Sequence, residues 1–169
     1  CISGMKDFVD YYVILDTGSI DNTKQLIETK CREYEIEGEI HSIPAVPRWQ
    51  FDFGEARSKA LQLCMNKSEW IGVQDADNLL IPGTLTRQEL YDCLKNNPTV
   101  DAYRLLHKWN RYAQGGMWRD QIFRNDVKYG WHYKGVRHEY LGATDYNTHQ
   151  INYPSNQNAF ILDRRTGSR

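Results

Sequence analysis

An α/β fold with a mostly parallel central sheet and a smaller antiparallel or irregular second half is predicted by three observations. Short continuous apolar runs end at acidic turns, and amphipathic stretches of helical period separate those runs. Beyond about residue 98 the pattern breaks into short strands of mixed faces joined by Gly-rich and aromatic loops.

The elements follow in order. Tyr11-Tyr12-Val13-Ile14-Leu15 is rich in β-formers and is closed by Asp16-Thr17-Gly18-Ser19. It predicts a strand buried on both faces, followed by a turn. Leu26, Ile27, Cys31 and Tyr34 then recur at helical spacing, with Ser19, Asp21 and Asn22 as N-cap candidates. Residues 38–43 read as the next strand. Phe53, Ala56, Ala60, Leu61 and Cys64 fall on one face of a second helix, and 70–74 is a further buried strand ending at Asp75. The order so far is βαβαβ. After Ile81-Pro82-Gly83 a polar-faced helix runs over 85–94 and stops near Asn96-Asn97-Pro98. Residues 100–107, 121–124 and 136–141 read as short strands, and the tail from 146 is rich in Asn, Gln, Thr and Ser. With no internal repeat and no linker-like break, one domain over 1–169 is expected.

Composition bounds the function. A chain of 169 residues buries roughly 70% of its unfolded surface, enough for a full core without disulfide or metal staples. A net charge of -1 and no Lys/Arg run remove the basic footprint that nucleic acid demands. No apolar run approaches the ~20 residues of a membrane span. Cys1, Cys31, Cys64 and Cys93 are widely spaced with no C-x-x-C pair, so free thiols in a reducing, cytoplasmic setting are expected.

Three constellations can carry chemistry. Asp16-Thr17-Gly18-Ser19 at a strand end resembles the D-T-G of aspartic proteases, in which two such aspartates share a proton, although here a helix follows directly and no second D-T-G exists. In open α/β sheets ligands bind beyond the carboxyl ends of strands, so Asp16 can instead contact a nucleotide base or ribose, or simply shape a turn. Asp75-Ala76-Asp77 lies at another strand end. A D-x-D arises about once by chance in such a chain, and its placement is what makes it informative. Its carboxylates suit Mg²⁺ or Mn²⁺, hard ions that leave positions for substrate phosphates. The third constellation is Gly115-Gly116-Met117-Trp118-Arg119-Asp120 with Gly135-Val136-Arg137-His138-Glu139. It offers Asp120 as a general base and His138 as a nitrogen ligand, against the plainer readings of an ion pair and a core histidine.

Taken together, Asp16-Thr17-Gly18-Ser19-Ile20-Asp21-Asn22-Thr23, Asp52-Phe53-Gly54-Glu55-Ala56-Arg57, Asp75-Ala76-Asp77-Asn78 and Val136-Arg137-His138-Glu139 resemble, in order, the motifs of GT-A glycosyltransferases of family 2. The resemblance covers about residues 1–141. It implies the GT-A, Rossmann-like nucleotide-diphospho-sugar transferase fold and inverting, metal-dependent transfer from a nucleotide-sugar, most simply UDP-linked, to a hydroxyl of a glycan acceptor. It implies that Asp16 and Ser19 line the uracil or ribose, that Arg57 lies near the diphosphate, and that Asp75 and Ala76 face the ribose. Asp77 and His138 would ligate Mn²⁺ or Mg²⁺, with His149 competing for the histidine role; Asp120 would be the acid/base residue and Glu139 its reserve. Trp49, Trp109, Trp118, Trp131 and Tyr133 offer flat faces to sugar rings. The family's first strand is missing, as though the chain began in the helix after it inside a longer protein. A carbohydrate- or nucleotide-binding module without turnover is the alternative.

Overall fold

The computed structural model describes residues 1–110, 115–136, 139–143 and 159–163. In chain order its elements are α1 (Ile2–Met5), β1 (Tyr11–Asp16), α2 (Thr23–Glu33), β2 (Glu37–Ser42), α3 (Phe53–Cys64), β3 (Trp70–Gly72) and β4 (Asn78–Ile81). There follow α4 (Arg87–Asn96), β5 (Ala102–Lys108), β6 (Met117–Arg124), a 3₁₀ turn at Val127–Tyr129, β7 (His132–Lys134), β8 (Tyr140–Gly142) and β9 (Phe160–Asp163). They form two compact units, one from Cys1–Phe8, Trp70–Arg124 and β9, the other from Val9–Glu69 and Asn125–Tyr146.

The second unit begins with the anticipated motif. β1 and β2 pair in parallel from Tyr11↔Glu37 to Asp16↔Ser42, with α2 as the crossover. α2 ends in a Schellman arrangement: the Ile36 amide donates to the Cys31 carbonyl at 2.9 Å and the Glu35 amide to Arg32 at 3.1 Å, with Glu35 at φ 55°. α3 is capped by Asp52, whose carboxylate accepts from the Glu55 amide at 2.9 Å. It packs on β1 and on β7, which pairs antiparallel with β8. Cys31, Ile36, Leu61, Tyr129, Trp131 and Leu141 are buried.

The first unit holds a five-stranded sheet in the order β3-β6-β5-β9-β4. β3–β6, β6–β5 and β9–β4 are antiparallel, and β5 and β9 run parallel at His107↔Ile161 and Lys108↔Leu162. Leu80, Leu105 and Ile161 form its core, with Met5 and Phe8 packed against them. α4 opens with a capping box, Thr86 and Glu89 satisfying each other's backbone amides. The Tyr103 hydroxyl donates to the Cys93 carbonyl at 3.0 Å, and burial pushes that phenol up to about 12.

The α/β class holds, and the expected mostly parallel central sheet does not. The larger sheet is mixed and chiefly antiparallel, and the parallel β1–β2 pair is a separate two-stranded sheet. A continuous apolar run marks a strand without stating the direction of its partner, and the run at 70–74 pairs antiparallel with β6. That strand also closes early, at Gly72. Residues 136–141 hold only the start of β8, while β7 lies just before them. β6 starts four residues ahead of the expected 121, because its mostly exposed first half, Met117-Trp118-Arg119-Asp120, sets two apolar residues before two charged ones and shows no apolar alternation. β4 and β9 were not anticipated. Each is four residues long, and β4 lies between an acidic turn and the Pro82-Gly83 breaker.

Candidate functional site

Asp16 is the last residue of β1 and is 6% exposed. The turn after it folds back so that the Ser19 amide donates to both carboxylate oxygens at 3.2 Å. The turn depends on Gly18, whose φ of 104° is left-handed and whose missing side chain leaves room for Ala45; a β carbon would stand 2.5 Å from that of Ala45. Lys24 Nζ lies 3.9 Å from Oδ2. Hydrogen bonding from the Ser19 side chain, aided by the Ser19 and Gly18 amides and the Lys24 ammonium, holds the Asp16 carboxyl below the usual range against the opposing effect of burial. The result is a fixed anion at a strand end. Its partners are a hydroxyl, amides and an ammonium, whereas an aspartic-protease dyad demands a second carboxyl group.

The D-F-G-x-A-R and V-R-H-E segments, about 80 residues apart in sequence, meet in this same unit. The Phe53 amide donates to the Val136 carbonyl at 3.3 Å. Gly54 is buried so closely against Gly135 that a β carbon would stand 2.3 Å from its carbonyl oxygen. One turn later Arg57 Nε donates to Glu139 Oε1 at 2.7 Å, with both side chains largely buried, and its guanidinium lies 5.5 Å from the Tyr133 ring centroid. Ser58 completes the joint: the Tyr133 amide donates to its hydroxyl oxygen at 2.8 Å. Asp52 caps, Gly54 permits the approach, and Arg57 is held by the carboxylate that approach delivers.

In the first unit, Asp75, Ala76 and Asp77 form the turn between β3 and β4, closed by the Asn78 amide donating to the Asp75 carbonyl at 3.1 Å. Asp77 and Ala76 are exposed and Asp75 is half-buried. Gln74, just before them, has both side-chain amide atoms buried with no hydrogen-bond partner among the described residues, the kind of group a ligand satisfies. Asp120 sits on β6 opposite Arg104 on β5, and Arg104 Nε donates to Asp120 Oδ1 at 2.8 Å. On the same sheet buried His107 and Gln121 share a 2.8 Å hydrogen bond.

Asp16, Ser19, Arg57 and Glu139 thus belong to one unit, and Asp75, Ala76, Asp77 and Asp120 to the other. His138 and His149 lie outside the described residues. Among the described residues no group of three or more His, Cys, Asp or Glu side chains is placed to hold a metal ion. What the Asp75–Asp77 turn offers is two carboxylates, a donor set that fits a hard cation completing its shell with water and substrate phosphates and does not make a closed cage. Sequence reasoning missed Lys24, Ser58, Gln74 and Arg104. Lys24 and Ser58 each lie one position beyond a motif. Arg104 had a signal only in pairing register, which a sequence does not display.

No protein-family model matches the chain. Over 79 residues, 47% of this chain and 16% of the relative, it is 34% identical to the SPbeta prophage-derived glycosyltransferase SunS of Bacillus subtilis. The glycosyltransferase SunS of Bacillus phage SPbeta gives the same figures. Over 132 residues, 76% of this chain and 29% of the relative, it is 30% identical to a TPR repeat-containing protein of Synechococcus elongatus. The chain spans from 16% to 29% of the length of these curated relatives. Among the described residues no helix is long and apolar enough to cross a membrane.

Proposed function

We propose that this chain is part of a glycosyltransferase of the GT-A type, moving one sugar from a nucleotide-sugar, most simply a UDP-sugar, to a hydroxyl of a glycan with inversion. The observation that carries the proposal is the partial likeness to a glycosyltransferase, which overlaps in meaning with the ordered motifs. The geometry supports it with a preorganised anion, Asp16, at a strand end and a guanidinium, Arg57, held in place by Glu139.

In this reading the acceptor oxygen attacks the anomeric carbon as the bond from that carbon to the diphosphate oxygen breaks. The proton of the acceptor hydroxyl passes to Asp120, and the electron pair leaves with the nucleoside diphosphate. Asp16 and Ser19 orient the uracil or ribose, and Asp75 and Ala76 bind the ribose. Arg57 stabilises charge gathering on the leaving group, and a fixed donor does this without reorganising at the moment of reaction. Mn²⁺ or Mg²⁺ held by Asp77, and by His138, would add neutralisation of the diphosphate when bound. In this reading Glu139, bonded to Arg57, positions that guanidinium and is the reserve for the base, while Asp120, itself ion-paired with Arg104, takes the proton through its second carboxylate oxygen.

A thermal-shift and sugar-release panel of UDP-, GDP- and dTDP-sugars on the protein, with and without Mn²⁺, tests this. A ligand that binds only the native state raises Tm. The expected result is a Mn²⁺-dependent rise with one nucleotide together with slow sugar release, both reduced in Asp77→Asn. No rise with any nucleotide removes the transferase reading in favour of a binding module without turnover.

A further inference from the structure

On the β5–β6 ribbon, Trp118 and Asp120 are two residues apart in an extended strand, so their side chains leave the same face about 7 Å apart. Their partners across the ribbon are Leu106 and Arg104. Trp118 is 47% exposed, an unusual position for the largest aromatic side chain. Next to it stands an ion pair that is only half used. Arg104 meets Asp120 through Nε and Oδ1 alone, which leaves the Arg104 Nη groups and Asp120 Oδ2 without a hydrogen-bond partner among the described residues. A guanidinium and a carboxylate facing each other squarely would share two parallel bonds. This pair instead keeps donors and an acceptor side by side, next to a flat apolar face.

Few ligands need all three. A phosphate would take the guanidinium and be repelled by the carboxylate, and an ammonium the reverse. An apolar chain would leave both charges unsatisfied. A pyranose ring fits: one face of the ring presents C–H groups suited to an indole, and neighbouring hydroxyls each donate and accept. One hydroxyl can accept from Arg104 Nη while the next donates to Asp120 Oδ2. We propose that Trp118, Arg104 and Asp120 form a binding platform for a pyranose of the acceptor glycan carrying a vicinal diol on its edge. This rests on the transferase reading for the word acceptor, while the sugar platform itself stands on the geometry of the ribbon.

Saturation-transfer difference NMR with a panel of methyl pyranosides of glucose, galactose, mannose and N-acetylglucosamine tests it, run beside the UDP thermal shift on the same protein. Expected is transfer to ring C–H protons of at least one glycoside, lost in Trp118→Ala, retained in part in Trp118→Phe, and weakened at least tenfold in Arg104→Gln, with the UDP-induced rise in Tm unchanged. The exposed position of Trp118 makes the two tryptophan variants tolerable to the fold. Absence of transfer with every glycoside, or transfer indifferent to Trp118→Ala, overturns the platform, whether or not UDP still raises Tm. Trp118-dependent glycoside binding without any nucleotide effect supports the platform and removes the transferase reading instead.

Discussion

At the residue scale, two carboxylates of similar composition are held in opposite manners. Asp16 is surrounded by donors, which lower its proton affinity, so its native form binds fewer protons than the unfolded chain as pH falls through about 4. Its stabilising contribution is therefore complete above the ordinary carboxylate range and disappears in acid. Asp16→Asn should lower Tm at pH 7, and the gap to the parent should close as pH drops below about 4; a gap that stays constant with pH would assign Asp16 no such role. Glu139 is held instead to hold something else. If it positions Arg57, Glu139→Gln keeps an oxygen for Nε and leaves UDP affinity within a few-fold, whereas Glu139→Ala weakens it about tenfold. If Glu139 were the base, Gln would abolish turnover with UDP affinity intact. Isothermal titration and initial rates on the two variants separate the outcomes.

At the element scale, α2 carries an unrelieved strain. Its Schellman end places Glu35 in the left-handed region, where a β carbon is unfavourable by roughly 1–2 kcal/mol. Glu35→Gly should raise stability by about 0.5–1 kcal/mol, the remainder being offset by glycine's greater freedom when unfolded, and a urea midpoint reads it directly. This scale is also where sequence and structure agree best. The helices at Leu26–Tyr34 and Phe53–Cys64 were legible because their caps and apolar spacing act locally. The Arg57–Glu139 joint was not, since each partner reads as an ordinary charge until the chain brings Gly54 against Gly135. Asp16 was legible as a strand-end anion, and its lowered proton affinity was hidden because Lys24 and Ser19 carry no signal of direction. Sheet order was the least legible feature: apolar runs of three or four residues name no partner, as β4 and β9 show.

At the scale of the whole molecule, each unit is assembled from segments far apart in the chain, so stability depends on pairings of large sequence separation. Ile161 makes this measurable. It is fully buried on β9, between β5 and β4, and Ile161→Ala should destabilise by about 2–5 kcal/mol, lowering Tm by roughly 5–15 °C. A loss below about 1 kcal/mol would mean that the strand is peripheral to the core.

β9 also has a consequence in time. It is an interior strand supplied by residues 160–163, whereas its neighbours β4 and β5 are finished more than fifty residues earlier. While the nascent polypeptide leaves the ribosome, the facing edges of β4 and β5 stay open for several seconds at ordinary rates of synthesis. Unpaired edges flanked by apolar side chains are where foreign strands attach. Attachment of a foreign strand to those edges is therefore a hazard confined to the interval before β9 emerges and closes the sheet.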